Sequence, residues 1–375
     1  MKIVADENIP LVEAFFQEFG EIVRLPGRQM TAADVRDADA LLVRSVTRVD
    51  AALLAGSSVG FVGTCTIGVD HLDQDYLVAH DIRYSSAPGC NANSVVEYVY
   101  AALTHLNVNW QTAKVGIIGC GNVGGLLHSR LRDQGVDCYC YDPLLDSDYP
   151  DLTHLEEVLA CDIISMHTPL TTTGSFPSFH LLGEQELRQL KPGAVLLNCG
   201  RGAVIDNSAL LGVLEDRPDL RIVLDVWEPE PDINLALLDK VVLGTPHIAG
   251  YSYDGKLKGT EMIYSALCRH LNVNPAKAVA DLIPPLADNT LRLTSDDEWI
   301  AAKALIAQVY DIAADDQRLR DLAARARAGA ESFAVGFDNL RKHYPIRREF
   351  HNYRLIQDDS AAVGSALFAA LGFKA

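Results

Sequence analysis

No stretch of these 375 residues holds the roughly 18 consecutive apolar residues that a membrane-spanning helix needs. The opening Met1-Lys2-Ile3-Val4-Ala5-Asp6-Glu7 puts acids where a secretory signal would carry its apolar core. A cytoplasmic chain with no membrane partner is the expectation. Basic charge is also scarce: 32 Lys and Arg stand against 50 Asp and Glu, a formal net charge of −18. That balance excludes the broad positive footprint that nucleic acid or anionic lipid requires. None of the 8 cysteines belongs to a Cys-x-x-Cys pair, and most lie in apolar segments as reduced, buried thiols do. A disulfide scaffold and a zinc ribbon are thereby excluded, and no metal site is expected. What remains is 49% apolar and 22% charged, and long enough for two to three domains of about 150 residues each.

The first ninety residues alternate short β-like runs with helix-like stretches: strands at residues 2–5, 40–44 and 59–63, and a helix at 10–19. That rhythm belongs to an α/β layer with a mostly parallel sheet. Residues 93–106 place Val95, Val96, Val99, Ala102, Leu103 and Leu106 at helical spacing, with Ser94 as a candidate N-cap. Apolar strands follow at 115–118, 137–141, 163–166, 194–198, 222–226 and 241–243, most of them separated by helical stretches, as in a doubly wound sheet. After Pro275 and the pair Pro284-Pro285 the chain turns alanine-rich and helical at 299–314 and 317–328, so a domain boundary is expected there.

Strand 115–118 runs into Gly119-Cys120-Gly121-Asn122-Val123-Gly124, a Gly-x-Gly-x-x-Gly turn that opens a helix. Such a turn lets the backbone approach a pyrophosphate resting on the helix N-terminus, with Asn122 and Val123 in the same turn. Alone the motif is weak. Asp142 strengthens it: 18 residues past Gly124, at the end of the next strand, an acid there accepts ribose hydroxyls and repels a 2′-phosphate, which favours NAD over NADP.

Three later strands end in polar residues: Asn198-Cys199-Gly200-Arg201, then Asp225-Val226-Trp227-Glu228-Pro229-Glu230, then Thr245-Pro246-His247-Ile248-Ala249-Gly250. The carboxyl ends of strands line the ligand crevice in open α/β sheets, so an Arg, a Glu and a His converge there. The trio suits oxidation of an alcohol beside a carboxylate. His247 takes the hydroxyl proton, a carboxylate orients the ring, and Arg201 offers a planar fork to the substrate's carboxylate and developing carbonyl. Spacing alone does not choose between Glu228 and Glu230 for the acid.

On these residues, with His167-Thr168-Pro169-Leu170-Thr171, Lys191-Pro192-Gly193-Ala194 and Gly68-Val69-Asp70-His71-Leu72-Asp73, the chain resembles the D-isomer-specific 2-hydroxyacid dehydrogenases over residues 1–280. The resemblance implies an α/β fold of two Rossmann-like doubly wound domains plus a C-terminal α+β dimerisation domain. A flavodoxin-like substrate domain would span 1–93 and 250–280, the NAD-binding domain 94–249, and the dimerisation domain 281–375. It also implies that Arg201, Glu230 and His247 are catalytic and that Thr168, Cys199, Gly200, Arg201, Asp225 and Gly250 line the cofactor, NAD.

The start Ile3-Val4-Ala5-Asp6-Glu7-Asn8-Ile9-Pro10, with residues 43–47, 63–68 and the tail motif Tyr344-Pro345-Ile346-Arg347-Arg348-Glu349-Phe350, narrows the resemblance. It points to family members that oxidise a phosphorylated 2-hydroxy acid as homodimers, in which Ser45, Thr66 and Tyr251 contact the substrate. Arg44-Ser45-Val46-Thr47-Arg48 gathers two cations and two hydroxyls suited to a phosphate. Between residues 341 and 354, Arg341, Lys342, Arg347, Arg348 and Arg354 face the single acid Glu349, and Arg347 or Arg348 is a candidate for the substrate phosphate. Nine acids and no Lys or Arg lie between residues 133 and 162, on the adenosine side of the cofactor. A relative acting on 3-phosphoglycerate or glyoxylate and a non-catalytic NAD-sensing scaffold are the alternative readings.

Overall fold

The computed structural model describes residues 1–357, 361–362 and 365–374. They form two compact units: Met1–Asn91 with Ser252–Pro285, and Ala92–Tyr251 with Leu286–Ala375.

In the first unit the strands β1 (Lys2–Asp6), β2 (Glu21–Leu25), β3 (Ala40–Val43), β4 (Phe61–Thr64) and β5 (Arg83–Ser85) form a parallel sheet in the order β2-β1-β3-β4-β5. This is the flavodoxin-like order that the sequence implies. β3 and β4 are buried at every residue, as a parallel sheet covered on both faces demands. The edge strands β2 and β5 are only half buried and carry Glu21, Arg24 and Arg83, so no apolar run announced them. Residues 252–285 return to this unit because the helix Tyr253–His270 covers one face of the sheet, setting Ile263, Tyr264 and Leu267 against Ile3, Phe15 and Phe16. Gly63 permits the approach: a Cβ there would stand 2.4 Å from the Ile263 side chain.

In the second unit β6 (Val115–Ile118), β7 (Cys138–Tyr141), β8 (Ile163–Met166), β9 (Val195–Asn198), β10 (Arg221–Leu224) and β11 (Leu243–Gly244) form a parallel sheet ordered β11-β10-β9-β8-β6-β7. The order reverses between β6 and β8, which places a ligand crevice at their carboxyl ends. The helix Ala92–His105 is buried along most of its length. Ser94 lies within it rather than capping it, and its hydroxyl donates to the Ala249 carbonyl at 2.8 Å.

The tail contributes the helices Glu298–Val309, Ile312–Arg327 and Phe333–Lys342 and a small sheet of β12 (Thr290–Arg292), β13 (Arg354–Gln357) and β14 (Ala361–Ala362). It does not stand apart as a third compact unit. Ala301, Leu305, Ile306, Phe350 and Leu371 share one core with Tyr98, Ala102, Trp110 and Leu127. Arg320 also donates to the carbonyls of Leu238 and Val241 at 2.9 and 3.0 Å, closing the end of a helix beside the sheet. An alanine-rich helical surface thus finds its apolar partner on the nucleotide-binding layer.

Burial holds His167 neutral, pushing it down from 6.5 to about 3, with Nε2 2.9 Å from the Ser165 hydroxyl. Below pH 6.5 the unfolded chain takes up a proton that the folded chain refuses, so stability falls as pH drops from 6.5 toward 3. One pH unit into that window costs about 1.4 kcal/mol. The expected result is that His167→Asn loses about that much less stability than the parent between pH 7.5 and 5.5 in urea unfolding; identical losses would assign the acid sensitivity elsewhere.

Candidate active site

The glycine turn after β6 satisfies three separate steric demands. Gly119 sits at φ +84, and a Cβ there would meet Thr168 at 2.8 Å. Gly124 lies so close to the Gly119 carbonyl oxygen that a Cβ would come within 2.0 Å of it. Gly121 is the N-cap of the helix Asn122–Asp133, has no capping side chain, and faces open space where its Cβ would be. Uncapped N–H groups and an open cradle at a helix N-terminus suit a pyrophosphate, so a dinucleotide fits these residues. Asp142, at the end of β7, accepts the Cys120 N–H at 2.9 Å and the Leu144 N–H at 3.0 Å. Those bonds aim its carboxylate at the turn and leave lone pairs for ribose hydroxyls. Thr168 donates to the Ile118 carbonyl at 3.2 Å, and Gly200 packs against the Thr168 backbone, where a Cβ would lie 2.6 Å from its oxygen. The acidic block around Asp142 is partly compensated: Asp151 meets His128 and Arg132, and Asp162 meets Lys191.

Arg201 follows β9 on a backbone clamped by Asn198. The Asn198 amide donates to the Arg201 carbonyl at 3.0 Å and its oxygen accepts the Gly200 N–H at 3.1 Å. Cys199 is a half-buried thiol whose acidity desolvation suppresses strongly.

The Asp225 carboxylate is 1% exposed and holds the loop of residues 245–249. It accepts the Thr245 hydroxyl at 2.7 Å, the Ile248 N–H at 2.7 Å and the Ala249 N–H at 3.0 Å, while its own carbonyl accepts the His247 N–H at 2.7 Å. Thr245 gives its proton to Asp225, so the Tyr98 hydroxyl, 2.8 Å away, donates to Thr245. Burial pushes the Asp225 carboxyl up, opposed by His247 and by these donors. The bracing role of Asp225, with Tyr98 and Thr245, carries no sequence signal. It supports His247 at φ +57, a left-handed backbone that needs outside bonds to hold it.

His247 Nδ1 lies 2.7 Å from Glu230 Oε2, and Glu230 Oε1 accepts the Trp227 N–H at 2.9 Å. The geometry therefore decides between the two acids. Glu228 is engaged elsewhere, with both oxygens on His180 Nε2 at 3.0 and 2.9 Å. Burial alone would raise the Glu230 carboxyl, but the charge of His247, its hydrogen bond, the Trp227 N–H and Arg341 together hold it below the usual value. Gly250 and Tyr251 continue the same loop, with the Tyr251 N–H donating to the Ile248 carbonyl at 2.8 Å.

Ser45, Thr66 and Arg44 belong to the first unit, so the chain does not place them in the same compact body as Arg201, Glu230 and His247. Ser45 is exposed just after β3, and Thr66, just after β4, shares a 2.8 Å hydrogen bond with Thr64. Both follow the carboxyl ends of adjacent parallel strands. Arg44 Nε stands 3.2 Å from the buried Asp6 carboxylate, which already matches its charge.

The expectation for Arg347 needs correction. It is 6% exposed, lies with its guanidinium carbon 4.1 Å from the Tyr310 ring centre, and donates through one NH2 group to Ser94 and, at 2.6 Å, to the Ala249 carbonyl. It braces the His247 loop from within the core, with its Nε and other NH2 group buried and without acceptors among the described residues, and at this burial it presents no open face to a substrate phosphate. Arg348 donates to the Asn352 side chain at 2.8 Å. Arg341, which sequence reasoning did not single out, approaches Tyr251 instead, its guanidinium carbon 5.6 Å from the ring centre.

Among the described residues no helix is long and apolar enough to cross a membrane. Residues 95–249 match the family model for the D-isomer specific 2-hydroxyacid dehydrogenase NAD binding domain, and residues 282–372 match one described as a domain of unknown function. The chain is 65% identical over 376 residues to the erythronate-4-phosphate dehydrogenase of Cellvibrio japonicus, with the whole of both chains covered. It is 49% identical to the enzyme of the same name from Teredinibacter turnerae, over 100% of this chain and 98% of the other. The fold is shared with the NAD+-bound 3-phosphoglycerate dehydrogenase of Entamoeba histolytica, at TM-score 0.62 and 23% identity over 72% of this chain and 95% of the other. With the nucleotide turn, the clamped arginine and the His–Glu pair all in place, the full-length identity shows that this chain belongs to the erythronate-4-phosphate dehydrogenases, within the D-isomer specific 2-hydroxyacid dehydrogenase family.

Proposed function

We propose that this chain oxidises 4-phospho-D-erythronate at C2 with NAD, giving 3-hydroxy-2-oxo-4-phosphooxybutanoate for vitamin B6 synthesis. The observation that carries this reading is the 2.7 Å pairing of His247 with Glu230 on a loop that Asp225 holds rigid. Full-length likeness to enzymes bearing the erythronate-4-phosphate name supports the choice of substrate.

Bound NAD supplies the acceptor for the C2 hydride. His247 Nε2 takes the proton of the C2 hydroxyl, because Nδ1–H donates to Glu230 and leaves the Nε2 lone pair free. The ionised Glu230 then stabilises the imidazolium that forms. Arg201 holds the substrate carboxylate and the developing carbonyl. Ser45, Thr66 and Tyr251 complete the substrate contacts, while Arg44 beside Ser45 is matched by Asp6. Association of two chains through the 281–375 region, and a cytoplasmic location, belong to the same reading.

A panel of 2-hydroxy acids followed by NADH absorbance tests the substrate. Turnover is expected with 4-phosphoerythronate and not with 3-phosphoglycerate or glycolate. Preference for either of the latter would move the chain to that branch of the family, and inactivity with every acid would favour a binding role.

A further inference from the structure

The tail carries a basic segment, and the structure accounts for most of its cations. Arg347 is in the core, Arg348 is bonded to Asn352, and Arg354 lies in β13. Arg341 is different. Its side chain is 17% exposed, where Arg347 is 6% exposed, and its Nε is buried without an acceptor among the described residues, as are Nε and one NH2 group of Arg347. Its nearest carboxylate contact is Asp338, at 4.0 Å. Glu230 is close enough to feel its charge, but both Glu230 oxygens already serve His247 and Trp227. A guanidinium has five N–H donors, and a desolvated one is costly unless anionic acceptors meet them. Arg341 is thus a largely desolvated cation beside His247 and Glu230 whose ion pair to Asp338 is long.

Its surroundings are built. Tyr251, four residues after His247, packs under the Arg341 guanidinium and meets the Tyr344 ring edge-on at 6.0 Å and 90°. Tyr344 is fixed in turn by donating its hydroxyl to Asp315 at 2.8 Å. The segment matching a domain of unknown function therefore holds the catalytic loop at Ala249 through Arg347 and at Tyr251 through Arg341 and Tyr344. The substrate brings two anionic ends. Arg201 suits the carboxylate, and Arg44 in the first unit is already matched by Asp6.

We propose that Arg341 is a specificity residue contributed by the tail, whose guanidinium, held over Tyr251, binds the terminal phosphate of the substrate. The proposal rests on the reaction assigned above. Planar paired donors match phosphate oxygens, and charge-assisted bonds of this kind are strong enough to select a phosphorylated acid over its unphosphorylated form.

The test compares 4-phosphoerythronate with erythronate in the full-length enzyme. Arg341→Ala is expected to raise KM for 4-phosphoerythronate about 30-fold and to lower kcat/KM for erythronate far less, through the lost support of Tyr251 alone, so that discrimination between the two falls about tenfold or more. Arg341→Lys should recover part of it, since it restores charge without the fork. Arg341→Met keeps an unbranched stem against Tyr251 and should behave as Arg341→Ala does, which serves if alanine unfolds the chain. NADH affinity should not change in any variant. Equal losses on both substrates, or a KM for 4-phosphoerythronate that stays at the parent value, would overturn the proposal. Absence of parent turnover on 4-phosphoerythronate would remove the assigned reaction and this proposal together, whereas parent turnover with unchanged discrimination in the variants overturns this proposal alone.

Discussion

His247→Asn is expected to lower kcat by roughly 10² to 10⁴ while NADH binds as it does to the parent enzyme, the usual scale for losing a positioned general base. Asparagine is the informative replacement because it tolerates the left-handed backbone that His247 adopts at φ +57. The bonds from Asp225 to the Ile248 and Ala249 N–H groups and from the Asp225 carbonyl to the residue 247 N–H involve only backbone on the loop side, so they survive the change. The glycine turn and Asp142 follow β6 and β7, at the other end of the sheet from β10 and β11, and cofactor affinity should therefore hold. Single-turnover measurement of NADH formation reads the chemical step, and NADH fluorescence titration reads binding. Turnover within tenfold of the parent would remove His247 from the base role and return the proton to some other acceptor.

Features that depend on local sterics were legible in the sequence. Gly119 and Gly124 were readable because a positive-φ turn and a close backbone approach each forbid a side chain within a few residues of chain, and Gly121 because a side chain there would fill the space left open for a pyrophosphate. β6 and β8 were readable to the residue because central parallel strands are unbroken apolar runs with polar ends. β2 and β5 were not, since an edge strand buries only part of itself and admits charge. The helical run read at residues 299–314 is two helices, broken at Tyr310 and Asp311, where Asp311 caps the second by accepting the Ala314 N–H. An aspartate between apolar stretches was the available signal.

What depended on distant partners was hidden. Glu228 and Glu230 sit two residues apart with the same chemistry, and only the positions of His180 and His247 separate them. Asp225 was readable as a strand-end acid but not as the brace of the His247 loop, because its partners lie 20 to 24 residues on. Arg347 looked like a surface cation in a basic run. Its bond to Ser94 spans 253 residues, and no periodicity encodes such a contact.

Arg201→Lys keeps the charge and is still expected to cost roughly 10² to 10³ in kcat/KM, the scale seen when one preorganised donor is removed from a developing oxyanion. The physical reason is geometric. Arg201 NH1 donates to the Gly200 carbonyl at 3.0 Å, which fixes the plane of the guanidinium, and Asn198 secures the backbone on both sides of residue 200. Gly202, next in the chain, lies so near the Trp227 carbonyl that a Cβ would come within 1.8 Å of it, so the segment has little room to move and compensate. A lysine ammonium is a point charge on a flexible stem. It can approach the substrate carboxylate, or keep the Gly200 bond, but cannot present two parallel donors while doing so. Loss of carboxylate binding should appear in KM, and loss of the contact to the carbonyl that forms at C2 should appear in kcat, because that interaction strengthens only as the hydride leaves. Steady-state kinetics on 4-phosphoerythronate separates the two. A lysine variant within tenfold of the parent in kcat/KM would show that charge alone suffices at this position, and a loss confined to KM would place Arg201 on the carboxylate and not on the reacting carbon.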